Sequence, residues 1–226
     1  MNVEARFRSR VTQGSSIEVL NSKLLASLSK IDGLWSPGRQ PSEVYFEHSK
    51  NSGGATDLTD ALVKDVRGAI SYADRSYARI DKALADDVLT LQIDLEQVDY
   101  ARLALSVFPA LVEACAPYRA AIVTDLNMDM DDFEEIVSQT QNLRPGTELD
   151  IDGRDTVFRI QTKNFFDELL CKRAFGVAPA EVARKLKGKV ASVEEMRGGV
   201  VITLADSPLQ GEQLLEASKR AMIALK

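Results

Sequence analysis

The stretch KVASVEEMRGGVVITLAD, residues 189–206, decides the fold class. Two β-like runs flank the pair Gly198-Gly199, and glycine supplies the positive φ that a tight hairpin turn needs. The segment that follows, GEQLLEASKRAMIAL at 211–225, predicts a helix. A hairpin that leads into a helix indicates an antiparallel or mixed sheet with helices packed on it, rather than a doubly wound parallel sheet.

The first part of the chain repeats this mixture of strands and helices. VEARFRSRVT alternates apolar and polar residues, which predicts a strand with Val3, Ala5 and Phe7 on one face. SSIEVLNSKLLASLSKIDG predicts a helix that Ser15 and Glu18 cap and Gly33 ends.

A second helix is predicted from about residue 57 to 85. Its apolar residues recur at spacings of three or four, although Gly68 weakens the case for an unbroken helix and two helices meeting near it stay possible. The stripe consists of Leu58, Leu62, Val66, Ile70, Ala73, Tyr77, Ile80 and Leu84. Residues 34–56, which contain two Pro and three Gly, are predicted to form a long irregular connection.

The central part supplies two more strands and a helix. DVLTLQIDL and YRAAIVTDL each predict a strand, and DYARLALSVFPALVEACA predicts a helix that Pro109 is expected to kink or end. Asp152-Gly153 then predicts a hairpin between two β-like runs.

Two short helices complete the prediction. They are NFFDELLCKRAFG and APAEVARKLKG, each closed by a glycine. The expected architecture is therefore an α+β fold: a mixed or antiparallel sheet with hairpins, covered by several amphipathic helices. We expect a single domain from 1 to 226, because no linker composition interrupts the chain.

Composition excludes several classes of function. The formal net charge is −6. An acidic chain argues against binding to nucleic acid, which requires clustered Lys and Arg, and suits a neutral or basic partner. No window is long and apolar enough to predict a membrane span. We expect a cytoplasmic protein whose Cys115 and Cys171 are small buried residues, although a disulfide between them stays open at this stage.

The stretch DLNMDMDDFEE, residues 125–135, holds six carboxylates and no basic residue. As a calcium loop starting at Asp125 it lacks the turn glycine and the final bidentate Glu. As the start of a helix it fits better, with Asp129 as N-cap, or Asp131 with Glu134 as a capping box. Capping uses only part of the charge, so the surplus is predicted to face a partner. The predicted partner-binding carboxylates are Asp129, Asp131, Asp132, Glu134 and Glu135.

Candidate catalytic groups are sparse. A single histidine, His48, excludes a two-histidine metal site and is expected in an exposed loop. The paired glycines match no phosphate-binding loop, and we expect no cofactor. The remaining enzymatic alternative is a divalent-metal nuclease site around Asp152, Gln161 and Lys163, where a carboxylate, a Gln and a Lys could flank a scissile phosphate.

The lone tryptophan, Trp35, has two interpretations. It can anchor its loop on the core, or it can be an exposed aromatic residue of an interface. We include it among the predicted partner-binding residues.

The chain also resembles a known family through three segments. They are LSKIDGLWSPGRQPSEV with the lone tryptophan, ALSVFPALVEACAPYRAAIVT with a helix before a strand, and MRGGVVITLADSPL before the last helix. In this order of elements the chain resembles bacterial immunity proteins of polymorphic-toxin and type VI secretion systems, namely the Immunity protein 52 family. Members are usually encoded beside a nuclease toxin with a restriction-endonuclease-like fold.

The resemblance implies a non-catalytic protein that binds one cognate toxin in the cytoplasm and blocks its active site or substrate channel. It supplies no catalytic residues. A nuclease is basic where it receives phosphates, so the carboxylates of residues 125–135 would meet a basic toxin surface. The alternatives are the metal-dependent enzyme and an adaptor without a toxin partner.

Overall fold

The structure, a computed structural model, describes residues 1–11, 14–39, 44–49, 53–75, 86–128 and 153–226. The chain divides into two compact units, Met1–Ile122 and Val123–Lys226. The described residues contain nine strands with helices beside them, which confirms the α+β fold. The expectation of a single domain stays a prediction.

The first unit is built on strands in the order β2-β3-β4-β5-β1-β6. The pairs β2/β3, β3/β4, β4/β5 and β1/β5 are antiparallel. Its elements are β1 (Asn2–Arg10), α1 (Ile17–Leu28), β2 (Tyr45–Ser49), β3 (Gly53–Asp57), β4 (Val66–Tyr72), β5 (Asp86–Asp94), α2 (Tyr100–Arg102), a π-helical turn (Leu103–Val107), α3 (Phe108–Cys115) and β6 (Arg119–Val123).

The second unit has strands in the order β7-β9-β8, with both pairs antiparallel. Its elements are β7 (Lys163–Phe166), α4 (Glu168–Phe175), α5 (Pro179–Leu186), β8 (Ser192–Met196), β9 (Gly199–Thr203) and α6 (Gly211–Leu225).

The alternation predicted for β1 is confirmed, and it sets the core of the first unit. Val3, Ala5 and Phe7 are each at most 1% exposed. Residues on the same face of antiparallel neighbours pack as cross-strand pairs, and Phe7 lies opposite Leu89 of β5. The Phe7 ring also contacts Phe108 at 5.3 Å between centroids, which seats α3 on this face.

The helix predicted from 57 to 85 is wrong where the structure describes it, because residues 66–72 form β4. Val66 and Ile70 are four residues apart, and four is close to one helical turn but is also a multiple of the strand period of two. Gly68 on the same face is required by packing: a Cβ there would lie 2.5 Å from a methyl carbon of Leu91. The rest of the stripe, residues 76–85, lies outside the described residues.

The irregular connection predicted for residues 34–56 is wrong in its second half. β2 and the start of β3 lie there, and they form a hairpin. β2 carries YFEHS and exposes most of its side chains, with Tyr45 66% exposed. An exposed edge strand has no buried face, so its sequence lacks the alternation that predicts strands.

The helix predicted at residues 99–116 is confirmed, and it does not end at Pro109 but continues to Cys115. Proline has no N–H, so the carbonyl four residues earlier loses its α-helical donor. The chain passes through the π-helical turn, where the Phe108 amide donates to the Leu103 carbonyl, and continues as α3 to Cys115.

Three local predictions need correction. α1 is capped by Ser16, whose Oγ accepts from the Val19 amide, one residue after the predicted Ser15. The hairpin expected around Asp152-Gly153 lacks its second arm, because residues 153–162 are irregular and β7 starts at Lys163. The turn of the last hairpin is centred on Arg197 and Gly198, both with positive φ, one residue earlier than predicted.

Candidate partner-binding surface

The acidic stretch begins at Asp125, which caps the helical turn that follows it directly. Residues 126–128 are helical, and Asp125 Oδ1 accepts a hydrogen bond from the Met128 amide at 3.0 Å. A helical turn therefore begins at residue 126, and the helix starts predicted at Asp129 and at Asp131 lie outside the described residues. The five predicted partner-binding carboxylates lie outside the described residues; they are Asp129, Asp131, Asp132, Glu134 and Glu135.

The same carboxylate reaches a second helix. Asp125 Oδ2 accepts from the Gly211 amide at 2.9 Å, across a separation of 86 residues. Gly211 is the first residue of α6, and the residue before it, Gln210, makes no side-chain capping bond. Asp125 thus supplies α6 with a cap that its own sequence does not provide.

These bonds favour the ionised form of Asp125. Hydrogen bonds from the Met128 amide, and then from the Gly211 amide, lower the pKa of the Asp125 carboxyl below its ordinary value of 3.8. Donation to a carboxylate stabilises its charged form, so these bonds keep Asp125 ionised to a lower pH than an exposed aspartate.

A polar junction fixes the segment that leads into α6. The hydroxyls of Thr124 and Thr162 lie 2.8 Å apart, and the Leu209 amide donates to the Thr162 hydroxyl at 3.2 Å. The Gln210 side-chain amide donates to the Thr124 carbonyl at 2.7 Å. Together they hold the first turn of α6 beside the first residue of the acidic stretch.

A groove of about 650 Å³ runs along the N-terminal half of α6. Leu204 at its floor is 9% exposed, whereas Glu212 and Glu216 on its wall are exposed. These two carboxylates are four residues apart, so they lie one above the other on one face of the helix. We call this cavity the α6 groove; it is lined by Leu204, Ala205, Leu209, Glu212, Gln213, Glu216, Ala217 and Arg220.

The wall of the α6 groove carries one basic residue, Arg220, and the apolar residue Ile223 lies beyond it. An Arg220 nitrogen lies 3.8 Å from Glu216 Oε2, with both side chains more than 60% exposed. Helical spacing places Ile223, 62% exposed, beyond Arg220 on the same side of α6. The surface therefore offers carboxylates beside apolar contact area, which is the anatomy of a protein-binding face.

Trp35, the other predicted partner-binding residue, lies in the first unit and is partly buried. Its indole Nε1 donates to the Leu28 carbonyl at 2.7 Å, and its backbone pairs with Leu62 in an isolated bridge. These contacts give Trp35 the loop-anchoring role of its first interpretation. Its predicted role in partner binding stays a prediction.

Two cavities in the first unit flank the side chain of Arg102. One, of about 490 Å³, has a floor of buried residues that includes Leu91, and the other, of about 600 Å³, lies between α1 and α3. The Arg102 side chain covers Gly33, and its guanidinium lies 3.5 Å from the Asp32 carbonyl and 3.7 Å from the Asp32 carboxylate. Both rims mix acidic and basic residues, so neither cavity selects a charge.

Of the residues of the metal-dependent alternative, the structure describes Gln161 and Lys163. Asp152 lies outside the described residues. Lys163 is 4% exposed, and its ammonium donates to the Thr203 hydroxyl at 2.9 Å. The Gln161 main chain exchanges two hydrogen bonds with the Asn164 side chain. In the part of the chain that the structure describes, no three His, Cys, Asp or Glu residues are grouped to hold a metal ion.

The histidine and the thiols also occupy structural positions. His48 lies in β2, not in a loop, and its Nε2 is 2.5 Å from Glu18 Oε1. Both cysteines are free thiols, so the disulfide is absent. Burial raises the pKa of Cys115 and of Cys171 to about 12, which disfavours the reactive thiolate.

Comparison with known proteins bears on the fold. No protein-family model matches the sequence, and no curated protein matches it. Among solved structures, the chain is similar to the Pseudomonas aeruginosa T6SS protein PA0821, with a TM-score of 0.61 and 10% sequence identity. The match covers 99% of this chain and 72% of that one. A likeness at this identity shows a shared fold.

In the ranges that the structure covers, no helix has both the length and the apolar character needed to span a bilayer.

Proposed function

We propose that this chain is an immunity protein, which binds a cognate secreted toxin and neutralises it stoichiometrically in the cytoplasm. The toxin is a nuclease with a basic surface, and the chain itself performs no catalysis. Membrane and nucleic acid are not its targets.

One observation carries the proposal: Asp125 ties the start of the acidic stretch to the first residue of α6, the helix that carries Glu212 and Glu216. Asp125 thereby lies at the same end of the second unit as Glu212, the residue after Gly211. A nuclease concentrates positive charge where it receives phosphates, so carboxylates presented there would speed encounter and occupy the phosphate-binding cleft.

Two further points support the proposal. The formal net charge of −6 equals the charge of the six carboxylates in residues 125–135, so the rest of the chain is formally neutral. The fold is also that of a protein named for the type VI secretion system. We extend that association with secretion to this chain as part of the proposal.

A growth assay tests the function. The reading frame beside this gene is induced in a naive host, alone and together with this chain. We expect the neighbour to arrest growth and this chain to restore it. A harmless neighbour, or arrest that this chain leaves unchanged, would refute the proposal and favour the adaptor.

Charge-neutral variants in the growth assay, together with a DNA-cleavage assay, separate inhibition from enzymatic function. Neutralising all five of Asp129, Asp131, Asp132, Glu134 and Glu135 to their amides should weaken rescue without altering expression. Metal-dependent cleavage of DNA by the purified chain would instead favour the enzyme around Asp152, Gln161 and Lys163.

A further inference from the structure

We infer that the α6 groove receives a segment of the partner protein in which Lys or Arg side chains alternate with apolar ones. This inference rests on the proposed function and adds a binding site that the acidic stretch did not reveal. Its contact residues are Glu212 and Glu216.

The shape of the groove favours a peptide segment over a small ion. A volume of about 650 Å³ with Leu204 and Leu209 in its lining gives room and apolar contact for side chains. Ile223 extends this apolar surface along α6 beyond the groove. Apolar side chains of the partner would be buried at the floor and along this extension.

The charge of the wall selects basic residues. Glu212 and Glu216 outnumber Arg220, the basic residue of the lining. Asp206 lies next to the lining residue Ala205, but its charge acts on the buried Lys163. We therefore do not count Asp206 among the acidic residues of the groove. Asp125, at the start of the helix, adds a third carboxylate at this end of the second unit.

The existing ion pair does not neutralise the wall. The 3.8 Å between Arg220 and Glu216 exceeds hydrogen-bond distance, and both groups are in solvent. An incoming guanidinium could form a shorter, bidentate contact with Glu216. Glu212, in the first turn of α6, lies at the positive end of the helix dipole and lines the same groove.

The test uses a defined probe and the full chain. A synthetic peptide in which arginine alternates with leucine is titrated into the isotope-labelled protein, and amide chemical shifts are followed by NMR. We expect the largest shifts between residues 204 and 220, and binding that weakens with added salt. A matched peptide with citrulline in place of arginine should bind far more weakly.

Variants assign the site. Glu212→Gln combined with Glu216→Gln should weaken binding by roughly fivefold or more, since two exposed ion pairs are lost. Glu195→Gln combined with Asp60→Asn, the same charge change on exposed residues outside the groove lining, should leave binding unchanged. Shifts centred elsewhere, equal binding of the citrulline peptide, or equal loss in both variants would overturn the inference.

The peptide-binding test and the growth assay can fail independently of each other. If rescue occurs while the peptide ignores the groove, the inference fails and the proposed function stands. If the peptide binds in the groove while rescue fails, the groove is a basic-segment site of a protein with another role.

Discussion

The substitution Asp125→Ala should lower the stability of the second unit more than the substitution of a neighbouring exposed residue such as Asn127. The variant removes the acceptors of two amide hydrogen bonds, from Met128 at 3.0 Å and from Gly211 at 2.9 Å. Loss of one helix cap costs about 1 kcal/mol, so two give about 2 kcal/mol. For a chain of this size that lowers Tm by roughly 4–8 °C.

Two companion variants make the magnitude interpretable. Asp125→Asn keeps one carbonyl oxygen and should lose about 1 kcal/mol, since its amide nitrogen is unable to accept the second hydrogen bond. Asn127→Ala changes an exposed side chain in the same helical turn and should leave stability nearly unchanged. Thermal denaturation followed by circular dichroism measures all three.

The pH dependence provides a second test of Asp125. Its pKa is lowered in the folded protein, chiefly by the Met128 amide and then by Gly211. A lowered pKa contributes stability that is present above the unfolded value and is lost as pH falls through the folded pKa. The stability gap between wild type and Asp125→Asn should therefore narrow as pH falls below 3.8.

Hydrogen exchange identifies the cause. We expect the Met128 and Gly211 amides to exchange faster in Asp125→Ala than in Asn127→Ala. An unchanged Tm together with unchanged protection of both amides would refute the assignment of Asp125 as a shared cap.

Three further predictions concern the core. Tyr118→Phe removes the hydroxyl that donates to buried Asp86 at 2.6 Å, and urea denaturation should show a loss of about 1–3 kcal/mol; an unchanged midpoint would contradict this role. Gly68→Ala places a Cβ 2.5 Å from Leu91, and calorimetry should show about 1–3 kcal/mol of destabilisation; wild-type Tm would contradict that packing. Cys171, 0% exposed, should resist a thiol reagent until urea unfolds the chain, and rapid native labelling would contradict its burial.

Strands and helices with one buried face were predictable from the sequence. β1 shows clean alternation because Val3, Ala5 and Phe7 face the core while their neighbours do not. β4 was missed for a physical reason: Val66 and Ile70 fit the helical and the strand period equally well. β2 was missed because an exposed edge strand leaves no hydrophobic pattern.

The candidate surface was only half predictable. The acidic stretch is visible because its charges are adjacent in sequence, whereas Glu212 and Glu216 sit in a helix of ordinary composition. Hydrogen bonds from Gly211 to Asp125 and from Gln210 to Thr124, each across 86 residues, bring the first residue of the stretch to the start of that helix. No local signal encodes a capping bond of that sequence separation. The sequence does show that α6 lacks a capping side chain of its own, because the residue before it is Gln210.

Titration of the toxin with this chain tests the central claim most directly. The product of the neighbouring reading frame is purified, its nuclease activity is measured, and this chain is added in increasing molar ratio. The account predicts a linear fall to complete inhibition at a fixed molar ratio. The double variant Glu212→Gln and Glu216→Gln should approach complete inhibition along a curve, because its affinity is lower while its stoichiometry is unchanged. Full nuclease activity in the presence of excess chain would contradict it.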